Sequence, residues 1–241
     1  MLPSLKRLQS GGKSLFLAYD QGLEHGPSDF NERNVDPSFV MELASKGRFS
    51  GVVFQYGTAS RYHTGKVPLV LKLNGKTALS KDEPFSPLIS SVADAIDLGA
   101  SAVGYTVYLG SANEPQIFSD FAKVRREAHA AGLPVIAWVY ARGSVIKNDV
   151  APDTLAYCAR VALELGADMV KLKYGQKFAW TVKCAGSVPV VVAGGAKDSG
   201  FLKMASDAMK SGASGLAVGR NIWQSSDPLS VAKELRKIVF S

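Results

Sequence analysis

Eight short apolar runs, separated by amphipathic stretches along almost the whole chain, constrain the fold more than any other feature. The runs are residues 14–20, 52–56, 68–73, 102–108, 134–140, 169–174, 189–193 and 215–218. Each is nearly continuous in apolar residues, the pattern of parallel strands covered on both faces. Helical periodicity marks 37–46, 89–98, 114–131, 152–165, 177–185, 200–211 and 228–239. The link after the second run is short and polar, which predicts a degenerate unit there. Leu98-Gly99-Ala100-Ser101, Leu165-Gly166-Ala167-Asp168 and Ser211-Gly212-Ala213-Ser214 each close a helix and open a strand. Glycine at that place supplies a left-handed helix cap. With no break in composition, these units predict an α/β chain folded as a single (β/α)8 TIM barrel over residues 1–241. An open, doubly wound sheet is the alternative.

Composition narrows the partners. A formal net charge of +7 favours anionic ligands, either phosphorylated metabolites or nucleic acid. No RNP-type motif, zinc-finger spacing or long Lys/Arg run supports nucleic acid. The opening stretch MLPSLKRLQSGGK lacks the apolar core of a signal peptide, and no segment approaches a membrane span, so a cytoplasmic protein is expected. Cys158 and Cys184 fall in expected helices and read as reduced thiols. His25, His63 and His129 are far apart and form no metal-ligand pair, so no metal is expected.

Residues 168–175, Asp-Met-Val-Lys-Leu-Lys-Tyr-Gly, read as a buried strand. Side chains alternate along a strand, so Lys171 and Lys173 point the same way. A desolvated lysine beside another cation becomes a free amine that attacks carbonyls. The plainer reading is a strand end whose lysines snorkel to solvent or pair with carboxylates. A barrel gathers its chemistry at the C-terminal strand ends. There the chain has Asp20, Gln21 and His25 after strand 1, Trp138, Tyr140 and Arg142 on strand 5, Ala193-Gly194-Gly195 after strand 7 and Gly219-Arg220 after strand 8. Glycine turns on the last two strands are where barrels commonly bind phosphate, and an arginine there can grip phosphate oxygens. Tyr140 and Asp20 are suitable acid/base groups for a lysine imine. Equally, Tyr140 is of a type common in cores, and Asp20 of a type that fixes turns.

The phrases Asp20-Gln21-Gly22-Leu23-Glu24-His25-Gly26-Pro27, Leu71-Lys72-Leu73-Asn74-Gly75-Lys76-Thr77, Trp138-Val139-Tyr140-Ala141-Arg142-Gly143, Lys171-Leu172-Lys173-Tyr174, Gly194-Gly195 and Val218-Gly219-Arg220-Asn221-Ile222-Trp223-Gln224 run in order along nearly the whole chain. In them the sequence resembles the archaeal-type class I fructose-bisphosphate aldolases, the DhnA-like family. The resemblance implies a metal-independent, cofactor-free enzyme of glycolysis and gluconeogenesis. It would form a Schiff base with dihydroxyacetone phosphate or fructose 1,6-bisphosphate. It assigns the imine to Lys171, proton donation to Tyr140 and the strand 1 carboxylate to Asp20. Trp138 would line the sugar site, while Gln21, His25 and Arg142 would handle the rest of the substrate. Lys173 would stay cationic and lower the pKa of Lys171. Ala193, Gly194, Gly195, Gly219 and Arg220 would cradle phosphate. The family commonly forms decamers of two pentamers, so a homo-oligomer is expected; exposed apolar residues of the last helix and Ile222-Trp223 are either contacts or core.

Three departures stand out. Gly175-Gln176-Lys177 replaces the usual Thr-Gly-Asp, in a shortened loop; Ala193 replaces serine; Ala141 replaces proline. Other activities of the same family, a 2-amino-3,7-dideoxy-D-threo-hept-6-ulosonate synthase or a related thiolase, are the nearest alternatives. A non-catalytic phosphate-binding barrel is a further one.

Overall fold

The computed structural model describes residues 3–241. Eight parallel strands close into a barrel in sequence order. They are β1 (Ser14–Ala18), β2 (Gly51–Gln55), β3 (Leu69–Lys72), β4 (Ala102–Leu109), β5 (Val135–Ala141), β6 (Met169–Leu172), β7 (Val190–Ala193) and β8 (Gly215–Val218). β1 pairs with both β2 and β8, so no sheet edge is left open. The helices are α1 (Gln21–Glu24), α2 (Pro37–Lys46), α3 (Tyr56–Tyr62), α4 (Val92–Asp97), α5 (Glu114–Ala130), α6 (Pro152–Leu165), α7 (Phe178–Cys184), α8 (Phe201–Lys210), α9 (Arg220–Trp223) and α10 (Pro228–Phe240).

The continuous apolar runs have a simple physical origin. One parity of each strand faces the barrel interior, where Phe16, Ala18, Val53, Val70, Ile136, Met169, Val191 and Ala217 pack together with Leu8. The other parity, including Leu15, Leu17, Val52, Phe54, Val170, Leu172, Leu216 and Val218, packs outward against the helix ring. Both faces are dry, so polar residues have no place on either except where the barrel opens. Gly99, Gly166 and Gly212 of the repeated phrases all have positive φ, at 64°, 81° and 94°. The left-handed cap is what turns each helix back into its strand.

The structure corrects the expectation for the link after β2, which forms the seven-residue helix α3. Only Ala59 of this helix is buried, so no apolar period betrays it. Its first residue follows β2 directly, and strand geometry places it. Helix α4 starts later than periodicity suggests because Ser91 caps it, its hydroxyl accepting from the Asp94 N–H while the Asp94 carboxylate accepts from the Ser91 N–H. Ile222 and Trp223 are fully buried, which makes them core rather than assembly contacts. At the N-terminal end of the barrel, the Asp168 carboxylate accepts from the Val135 N–H and pairs with His129 Nε2, each at 2.8 Å. That residue pins β6 to β5 and serves stability. No helix among the described residues is long and apolar enough to cross a membrane.

Candidate active site

A cavity of about 350 Å³ opens at the C-terminal ends of the strands. Every side chain or glycine expected to be catalytic, substrate-binding or phosphate-binding lines it: Asp20, Gln21, His25, Trp138, Tyr140, Arg142, Lys171, Lys173, Ala193, Gly194, Gly195, Gly219 and Arg220. Glu24, Tyr108, Val150, Tyr174 and Met204 join them, and these were not expected. Inward parity explains the assembly. Trp138 and Tyr140 continue the inward row of β5 begun by Ile136, and Lys171 follows Met169 on β6.

Lys171 is 5% exposed, and its strand register sets it beside Trp138. Its Nζ lies 5.1 Å from the Trp138 ring centroid. Room for that indole comes from Gly104 on β4: a Cβ there would lie 2.3 Å from the ring. Desolvation holds the Lys171 amine below the ordinary lysine range; Asp20 and Glu24 oppose this, and Lys72 reinforces it. The cation that adds to this lowering is Lys72, on β3, whereas the expectation gave that part to Lys173. Strand β6 ends at Leu172, and the half-exposed Lys173 ammonium is paired with the Asp149 carboxylate. Alternation along β6 correctly carries Lys173 to the cavity, but its charge is already spoken for.

Tyr140 sits partly open to the cavity. Burial, with Glu24 and Asp20 adding to it, pushes its hydroxyl well above the ordinary tyrosine range, so it is a protonated donor at neutral pH. Tyr108 is raised for the same leading reason. The Arg142 guanidinium lies 5.5 Å from the ring centroids of both tyrosines and is thereby fixed at the cavity wall. Asp20 is 4% exposed at the N-cap of α1. The turn carrying it rests on an aromatic cluster: Tyr19 stacks on Phe30 and meets Trp223 edge-on. The Trp223 indole N–H in turn donates to the Ala18 carbonyl at 3.0 Å.

Across the cavity lies the expected phosphate cradle. Asn221 holds it, its amide donating to the carbonyls of Gly194 at 2.8 Å and Ala196 at 2.9 Å. Its carbonyl oxygen accepts from the Asp198 N–H at 2.9 Å. Asn221 is the organiser of this turn, and its place directly after Gly219-Arg220 was the available signal. One expected amide is not free, because the Gly194 N–H donates to the Ala217 carbonyl at 3.0 Å. Arg220 lies 3.6 Å from Asp29, which also binds His25 at 2.7 Å, so one carboxylate orients both. The loop after Tyr174 packs hard against its neighbour: a Cβ on Gly175 would lie 2.5 Å from Leu155 and 2.7 Å from the Val150 carbonyl.

A buried amine, a protonated phenol, a carboxylate and a cationic, glycine-lined end meet in this one cavity. Residues 14–225 match the model of the DeoC/LacD family of aldolases. The chain belongs to that family. A class 1 fructose-bisphosphate aldolase from Thermoproteus tenax is 49% identical over 237 residues, covering 95% of this aldolase and 90% of the relative. A solved archaeal fructose-1,6-bisphosphate aldolase, with its catalytic lysine covalently bound to the carbinolamine intermediate, superposes with a TM-score of 0.96 at 47% identity, covering 98% of each chain. More distant is 2-amino-3,7-dideoxy-D-threo-hept-6-ulosonate synthase 1 from Archaeoglobus fulgidus, 32% identical over 98% of this aldolase and 89% of that protein. Among the described residues of this aldolase, no group of three or more His, Cys, Asp or Glu side chains is placed to hold a metal ion.

Proposed function

We propose that this aldolase cleaves fructose 1,6-bisphosphate reversibly to dihydroxyacetone phosphate and glyceraldehyde 3-phosphate, with Lys171 as the imine-forming lysine. The observation that carries the reading is a desolvated lysine in a cavity of about 350 Å³, its amine held below the usual range beside Trp138. The neutral amine attacks the C2 carbonyl, and Asp20 relays the protons by which the carbinolamine loses water. The protonated imine then accepts the electron pair of the breaking C3–C4 bond as the C4 hydroxyl gives its proton to the Asp20 carboxylate. Tyr140, kept protonated, returns a proton to C3 of the enamine. Hydrolysis releases the ketone and restores Lys171. The iminium is the electron sink, so the mechanism calls for no metal or other cofactor.

Gly195, Gly219 and Arg220 would hold the phosphate nearest the imine, with Trp138 against the sugar chain. Gln21, His25, Arg142 and Lys173 would meet the remainder of the substrate. Cys158 is no rival nucleophile, because burial pushes its thiol up to about 12. Both cysteines are free, which fits a reducing cytoplasmic setting. We also expect a homo-oligomer, to be read by sedimentation. The test of substrate is direct. Fructose 1,6-bisphosphate incubated with the enzyme in excess chelator should yield both triose phosphates. Absence of cleavage, with condensation chemistry on other donors intact, would move the heptulosonate synthase reading ahead.

A further inference from the structure

Lys72 is a buried charge that the proposed reaction leaves unused. It is 0% exposed, on the inward parity of β3, and it does not line the cavity. Its ammonium donates to the Asn74 carbonyl at 2.7 Å and lies 3.6 Å from Glu24 Oε1. Asn74 is itself rigidly held. Its amide donates to the carbonyls of Thr106 and Ser86 at 2.9 and 3.1 Å, and its side-chain oxygen accepts from the Thr106 N–H at 2.7 Å. The Lys72 ammonium also lies 5.7 Å from the Trp138 centroid, the same ring that Lys171 approaches at 5.1 Å. A fully buried ammonium is costly, and a fold retains one only where it is paired and held.

We propose that Lys72 is a positioning residue for the Schiff-base chemistry: locked onto Asn74, it holds Glu24 at the cavity wall and offsets the carboxylates around Lys171. This rests on the reading of Lys171 as the imine former. Charge balance around Lys171 explains why an offset is needed. Asp20 after β1 and Glu24 on α1 both favour its ammonium, and Lys72 on β3 disfavours it. Tyr108 on β4 and Tyr140 on β5 face the cavity as neutral phenols. Arg142 is stacked on those two rings, Lys173 is paired with Asp149, and Arg220 and His25 are turned to Asp29. Among the described residues, no other lysine or arginine is ion-paired with either carboxylate. Removing Lys72 leaves desolvation alone to oppose the two carboxylates acting on Lys171.

The experiment reads Lys171 without using a substrate. Full-length protein is methylated with formaldehyde and cyanoborohydride across a pH series, and the extent at Lys171 is mapped by mass spectrometry. In Lys72→Met the limb of labelling against pH should move upward, giving about tenfold less labelling at a pH below the limb and the wild-type extent on the alkaline plateau. Should Lys72→Met not fold, Glu24→Gln in the wild-type background should move the limb the other way, with more labelling at acid pH. A uniform loss at every pH in Lys72→Met, with the limb unmoved, would overturn the proposal and leave Lys72 a packing residue. So would an unmoved limb in Glu24→Gln. Trapping of dihydroxyacetone phosphate is run in parallel on wild type. A shifted Lys171 limb without any adduct would sink the imine reading of Lys171 while leaving the charge coupling of Lys72 to Lys171 standing.

Discussion

Gly104→Ala tests whether the Trp138 indole is held where Lys171 needs it. The added Cβ would lie 2.3 Å and 2.4 Å from two atoms at the far edge of the indole. Restoring even a 3.4 Å contact requires about 1.1 Å of movement (3.4 − 2.3). The backbone cannot supply it, since Gly104 and Ile136 are paired partners in the β4–β5 ladder and Trp138 pairs with Lys171 on the other side. The ring must move instead, inside a packed barrel interior, at a cost of about 1–3 kcal/mol of stability. A displacement of about 1 Å beside the reacting centre costs on the order of a hundredfold in kcat/KM. Urea unfolding measures the first quantity and the rate of fructose 1,6-bisphosphate cleavage the second. In a Trp138→Phe background, which lacks the clashing edge, the added alanine should cost much less stability. The reasoning fails if Gly104→Ala is as stable and as active as wild type, or if its cost is the same with phenylalanine at 138.

Tyr140→Phe should still form the imine yet lose about 10²- to 10⁴-fold in turnover, the usual share of a positioned acid, in a comparison of adduct trapping with steady-state rate. Since the Lys171 amine is held low and the Tyr140 phenol high, activity should rise with pH as Lys171 deprotonates and stay level until Tyr140 ionises well above 10; a fall in rate between about pH 7 and 9 would contradict these assignments. Asn221→Ala removes the bonds that hold the Gly194–Ala196 turn. It should raise KM for phosphorylated substrates more than it lowers kcat, and lower stability by about 1–3 kcal/mol on urea titration.

The barrel was legible because a parallel strand buried on both faces announces itself as an apolar run, and because a glycine closes three of the helices. Helix α3 was not legible, since a helix that buries only Ala59 has no period to read. The membership of the site followed from strand-end parity, which carried residues far apart in sequence into one cavity. What parity could not reveal was which charges are already paired. Lys173 reaches the cavity as alternation requires, but its partner Asp149 comes from the β5–α6 loop, outside any local pattern. The Gly194 amide is likewise spent on β8. Lys72 shows the opposite lapse. It is a lysine in an apolar run, the same signal that singled out Lys171, and the fold buries it more deeply still.

Covalent trapping of Lys171 bears most directly on the whole account. The protein is incubated with dihydroxyacetone phosphate, reduced with borohydride, digested and mapped by mass spectrometry, beside the Lys171→Met variant. The account predicts one substrate adduct, on Lys171, that disappears in the variant. An adduct on Lys173 or Lys72, or one that survives in Lys171→Met, would contradict it.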